Sequence, residues 1–496
     1  MENIFLGKGD IDVYLQANLA NRHGMIAGAT GTGKSVSLMV MAEGFSRLGV
    51  PVFLADVKGD LAGLSQTGTS NDKIAARAQK LGISWTAQTN PVVFWDIYGE
   101  KGHLARATIS EMGPILLSRL LELSDTQAGV LEVIFKVADD DGLLLLDLKD
   151  LSSMLSFASE HHSEISAKYG LVSSQSIAAI QRALLSLQQA GADHFFGEPA
   201  LDLQDLMRQD MSGRGVINIL VADQLILKPK LYSTFLLWMM SELFETLPEV
   251  GDLDRPKMVF FFDEAHLLFD DAPPALIQRV EQVVRLIRSK GVGIYFCSQN
   301  PDDAPDAVLG QLSNRLQHAL RAYTPRDQEA VRAAAETFPP NPKVDVTAVI
   351  SQLGVGEALA TTLQENGVPL PVERILVAPP TCRIGAISDD ERQQVRGRSV
   401  IGSKYDTPVD RESAYEKITA RVAEQQATVV QKAPTQSRQN QAPAASNEWG
   451  NMAHDILLGS GRRQGLIETV AKSAFRSAGN QVGRQLIRGI MGSLLK

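Results

Sequence analysis

One run constrains this chain more than any other: Gly28-Ala29-Thr30-Gly31-Thr32-Gly33-Lys34-Ser35. It meets the P-loop pattern G-x-x-x-x-G-K-[ST] at every fixed position. The short apolar run 23–27 precedes it, and residues 36–45 follow with apolar side chains at helical spacing. A strand, a glycine turn and a helix start surround one concavity with backbone N–H groups, at the positive end of a helix dipole. That geometry suits phosphate. The expected nucleotide contacts are Gly28, Ala29, Thr30, Gly31, Thr32, Gly33, Lys34, Ser35 and Val36. Lys34 reaches the β- and γ-phosphates, and the Ser35 hydroxyl takes Mg2+. The bland alternative, a glycine turn that binds nothing, leaves the agreement of both flanks unexplained.

Short runs rich in β-branched and aromatic residues recur at 23–28, 51–56, 91–97, 215–221, 257–263, 292–298 and 317–322. Nearly continuous apolar strands separated by helices predict an α/β fold, with a mostly parallel sheet covered on both faces. Residues 104–123, 126–138 and 174–190 read as helices, so 100–210 is expected to be a mainly helical insertion in an ATPase core spanning 1–380. The stretch 341–378 reads as a β-rich finish, with 357–360 and 372–377 as edge strands. Beyond it, 381–426 reads as a polar helical arm. Residues 427–458, rich in Gln, Ala, Ser and Pro, read as a disordered linker, because such a composition buries too little surface to fold.

Residues 459–496 read as a basic amphipathic helix. Phe475, Ala478, Gly479, Val482, Leu486 and Ile490 share one face, and Arg476, Arg484 and Arg488 lie off its centre. This tail holds seven Lys or Arg against one acid, a net of +6. Taken from a whole-chain net charge of −9, that leaves −15 for the body. A nucleic-acid contact is therefore expected to be local, in a pore lining or the tail. The tail is expected either to dock on protein or to bind an anionic partner. Two cysteines, Cys297 and Cys382, give no disulfide framework. The amino terminus lacks signal-peptide features, and apolar stretches such as 235–240 are too short to span a bilayer. A cytoplasmic protein without membrane association is expected.

The second strong signal is a run of five apolar residues, 258–262, closing on Asp263-Glu264. Two carboxylates at the end of a core strand are costly without a cation or hydrogen bonds. Beside a P-loop that cation is Mg2+, held by Asp263, and Glu264 polarises the attacking water. Asp263-Glu264-Ala265-His266 also spells the box of one helicase class, but no second, arginine-rich helicase motif supports it. His266 reads as a local hydrogen-bonding residue. The strand 292–298 ends on Gln299, whose amide suits contact with the γ-phosphate and attacking water; the competing reading is a strand cap. Asp56 and Asp60 follow strand 51–56 as two carboxylates at the sheet edge where open α/β folds bind ligands; Asp56 either orients magnesium waters or the loop, or shapes a plain turn. Arg321 is expected to end a strand just before a helix capped by Thr324 and Pro325. An arginine there can act as a finger in a neighbouring subunit.

Taken in order, the P-loop, the Asp56–Asp60 turn, Phe262 to His266, Ser298-Gln299 and Leu320-Arg321 followed by Asp327 resemble the HerA/FtsK-type ATPases. The chain is most similar to the YjgR-like group, with a HerA-like carboxyl-terminal domain. The resemblance covers residues 1–380 and the tail. It implies a RecA-like, additional-strand P-loop fold, hexameric rings, and ATP with Mg2+ at subunit interfaces. Lys34, Ser35, Asp263, Glu264 and Gln299 take the roles given above, with Arg321 as the trans arginine and Arg315 in reserve. The implied function is an oligomeric Mg-ATP hydrolase working on DNA or another polymer. The alternatives are a nucleotide-controlled switch or scaffold and, less favoured by the Asp263-Glu264 pair, a P-loop kinase. Only 22 residues precede the P-loop strand, too few for the β-barrel of HerA-type translocases, so processive unwinding is not expected.

Overall fold

The computed structural model describes residues 3–251, 253–269 and 274–432. Its strands, in chain order, are β1 (Asn3–Lys8), β2 (Asp12–Gln16), β3 (Gly24–Ala27), β4 (Val52–Asp56), β5 (Val92–Asp96), β6 (His103–Leu104), β7 (Ile217–Val221), β8 (Met258–Phe262), β9 (Val292–Ser298), β10 (Asn314–Gln317), β11 (Glu357–Thr361) and β12 (Glu373–Val377). They form one sheet in the order β2-β1-β12-β11-β10-β3-β9-β8-β4-β7-β5-β6. Neighbours from β10 through to β6 run parallel. Those from β2 to β10 run antiparallel.

The central strands β4, β7, β8 and β9 are buried from end to end. Their unbroken apolar composition follows from cover on both faces. On β8, Met258, Phe260 and Phe262 pack into one core, and Val259 and Phe261 into the other. Each such side chain contributes about 1.5–3 kcal/mol on full burial. Helix α1 (Lys34–Arg47) lies on the second face, where its Phe45 meets Phe261 and Tyr295. The first face carries the helices Ile109–Leu120, Asp125–Asp140, Leu148–Glu160, Ser174–Gln189 and Pro229–Thr246. The helix expected from 104 starts at Ile109, because a capping box of Thr108 and Glu111 fixes its first turn.

Three further expectations differ from the structure. The strand expected at 317–322 is β10, at Asn314–Gln317. Its ladder with β3 ends at Gln317 opposite Ala27, after which the chain turns beneath the P-loop. Strands β11 and β12 are interior, not edges, because the β1–β2 hairpin adds to β12. The stretch after residue 380 packs onto the body: Tyr405 and Ala414 are fully buried in the first core, and Tyr405 meets Trp95 edge-on. Its last described helix, Ala414–Lys432, runs past residue 426. The rest of the expected linker and the expected helix 459–496 lie outside the described residues.

Candidate nucleotide site

The carboxyl ends of β3, β9, β8 and β4 lie side by side at one edge of the sheet. Ala27 pairs with Ser298, Phe296 with Phe262, and Phe262 with Ala55. The P-loop, Gln299, the Asp263-Glu264 pair and the Asp56–Asp60 turn follow directly from these ends. Strand β9 is the additional strand between the P-loop strand and the acid-bearing strand.

The P-loop needs its glycines. Gly28 has φ 150°, and a Cβ there would lie 2.5 Å from the Cβ of His318; Gly33 has φ 117°. Both are backbone conformations that side-chain-bearing residues rarely adopt. The loop is held from several sides. Gly28 N donates to Ser298 O (3.2 Å), Ala29 N to Ala319 O (2.8 Å) and Gly356 N to Thr32 O (3.0 Å). The His318 ring, buried beneath the loop, bonds Ser37 Oγ (2.8 Å) and Glu357 O (2.9 Å). Burial holds that imidazole down at about 4. Helix α1 begins at Lys34 with no side-chain cap on its first turn, so its leading N–H groups point out of the helix end. The Lys34 ammonium donates to Gly28 O at 2.6 Å and Ala29 O at 3.3 Å.

Opposite the loop stand the acids. Ser35 Oγ donates to Asp60 Oδ2 at 2.8 Å, and Asp60 Oδ1 is buried with no hydrogen-bond partner among the described residues. Burial, then the charges of Glu264 and Asp60, push Asp263 up to about 6. Burial, then the Asp60 charge, push Asp56 up to about 7. Glu264 behaves differently. Burial raises its carboxyl, but the ion pair with Lys58, the bond from Gln299 and the nearby His266 ring hold it below the usual range. A concentration of partly unsatisfied buried acid beside a serine hydroxyl fits a divalent cation. No three His, Cys, Asp or Glu side chains converge to hold a metal alone among the described residues. The donor set therefore fits an ion held jointly by Ser35, the Asp263 side and a nucleotide.

A family model described as Helicase HerA-like C-terminal matches residues 3–496. The chain belongs to the HerA-like helicase C-terminal family. Among solved structures, this HerA-like chain is similar to the unbound bacterial conjugative coupling protein TrwB lacking its first 70 residues. The TM-score is 0.50 at 14% identity, over 75% of this chain and 88% of that one. VirB4 of Thermoanaerobacter pseudethanolicus gives 0.49 at 17% identity, over 76% and 96%. TrwB in complex with ADP and Mg2+ gives 0.49 at 13%, over 74% and 90%. No curated protein matches the chain. With this family and this loop, the HerA-like chain is a P-loop ATPase with a RecA-like fold.

The HerA-like site brings together Lys34, Ser35, Asp263, Glu264 and Gln299. Arg321 stands apart, beyond the end of β10 and exposed, with Nη1 donating to Ser351 O at 3.3 Å. Arg315 lies within β10, where Nε and Nη2 donate to Leu312 O (3.0 Å) and Leu309 O (2.9 Å), tying its guanidinium to its own chain. Lys58 and His318 carry no expected role in the sequence. Lys58 was findable, since it lies in the same turn as Asp56 and Asp60.

Proposed function

We propose that the chain is a Mg2+-dependent ATP hydrolase that assembles as a ring, with six subunits the first expectation, and does mechanical work on DNA or another linear polymer in the cytoplasm. The observation that carries this reading is the alignment of the P-loop, Asp263-Glu264 and Gln299 at one sheet edge. Bound Mg2+ would neutralise phosphate charge. Lys34 and the leading N–H groups of α1 bind the phosphates. Ser35 holds the cation, with Asp263 behind it. Glu264 orients the attacking water and takes its proton at a carboxylate oxygen, and Gln299 donates its amide N–H to the terminal phosphate. Arg321 reaches a neighbouring subunit's site and stabilises charge there. Positioning and electrostatics account for the chemistry.

The family's helicase character supports a polymer substrate. The net −15 of residues 1–458 favours the second reading, a nucleotide-controlled switch without translocation. Phosphate release with and without DNA, measured alongside native mass, separates the two. DNA-stimulated turnover in a ring supports the motor. Slow turnover that DNA does not change supports the switch and removes the DNA motor.

A further inference from the structure

We propose that Lys58 is a positioning residue that holds Glu264 away from the attacking water and so limits turnover; this rests on the hydrolase reading above. Both carboxylate oxygens of Glu264 are occupied. Oε1 takes the Lys58 ammonium, and Oε2 faces Gln299 Nε2 and His266 Nδ1, each at 3.4 Å. A carboxylate engaged by a cation and an amide N–H donor is a poorer acceptor for a water proton. Gln299, the other side chain assigned to the terminal phosphate, spends its amide on the same group.

The backbone agrees. Glu264 has φ 48° and ψ 53°, the left-handed region that non-glycine residues seldom occupy. Lys58 supplies a constraint from across the sheet edge. Its own turn is pinned at both ends: Asp56 accepts from Gly59 N (2.7 Å) and Leu61 N (3.2 Å), and Asp60 accepts from Ser35 Oγ. One short turn therefore grips the P-loop hydroxyl at Asp60 and the Glu264 carboxylate at Lys58. The Lys58 side chain is 47% exposed, so the pair can part without unfolding its surroundings. Parting frees Oε1 of Glu264 for the water, and no covalent bond is made or broken.

The test is Lys58→Met, which keeps the aliphatic stem and removes the charge, with Lys58→Arg as the conservative rescue. Steady-state phosphate release and ATP affinity are measured on the full chain. Lys58→Met should raise turnover about three- to fivefold, the scale of releasing a part-exposed ion pair. ATP affinity should not change. Lys58→Arg should return turnover toward wild type, and Lys58→Met should add nothing in a Glu264→Gln background. Turnover equal to or below wild type, at unchanged ATP affinity, overturns the proposal. If the wild-type chain releases no phosphate and Glu264→Gln changes nothing, the hydrolase reading fails and this inference falls with it.

Discussion

Replacing Asp56 with asparagine should remove a loss of stability with rising pH at the sheet edge. Asp56 is 3% exposed, and its carboxylate accepts two backbone N–H bonds. Burial, with the Asp60 charge next, lifts it from 3.8 to about 7. That rise corresponds to about 4 kcal/mol. The sign follows from proton affinity: the folded chain holds this proton more tightly than the unfolded chain. The stabilisation is complete below the unfolded value of 3.8 and is lost as pH rises through 7. Asp56→Asn has no proton to lose and gives up one of the two N–H bonds, about 1 kcal/mol. In urea unfolding without divalent cation, wild type and variant should lie within about 1 kcal/mol near pH 5, and the variant should lead by about 3 kcal/mol near pH 8. Parallel stability profiles for the two proteins would refute the argument that Asp56 is held protonated by its surroundings.

Other substitutions test the remaining parts. Gly28→Ala places a methyl 2.5 Å from the His318 Cβ. It should cost about 1–3 kcal/mol in urea unfolding and weaken ATP binding measured by calorimetry. Gly31→Ala meets nothing within 4 Å and carries only its positive φ of 77°, so it should cost about 1 kcal/mol. Arg315→Ala removes two guanidinium–carbonyl bonds and should destabilise the chain by about 2–3 kcal/mol while leaving turnover per folded subunit unchanged. Arg321→Ala should leave stability unchanged and lower turnover of the assembled protein about a thousandfold. Undiminished turnover would remove Arg321 from the reaction.

The P-loop and acid pair were legible because their chemistry is local. Fixed spacing sets the phosphate cradle, and an unbroken apolar strand predicts its own polar tip. The order of strands was legible only in part. The β1–β2 hairpin carries an alternating pattern, with Ile4, Leu6, Val13 and Leu15 buried, that resembles the edge of an antiparallel sheet. Only its pairing with β12 reveals that 357–361 and 373–377 are interior. The segment after residue 380 looks polar because its anchors, Ile401, Tyr405 and Ala414, follow neither period, and Tyr405 is placed by Asp205 and Trp95. Lys58 was invisible as a partner of Glu264 because 206 residues separate them, and two neighbouring strand ends bring them together. Arg315 and Arg321 look alike in sequence. The carbonyls of Leu309 and Leu312 distinguish them.

Hydrolysis at this site requires a terminal phosphate lying between the P-loop and the tips that bear Asp263, Glu264 and Gln299. A single-turnover experiment tests this most directly: Mg-ATP is bound to wild type and to Glu264→Gln, and the bound nucleotide is identified over time. Wild type should convert its ATP to ADP and phosphate, and Glu264→Gln should retain intact ATP at comparable occupancy. ADP formed by Glu264→Gln at the wild-type rate would contradict the account.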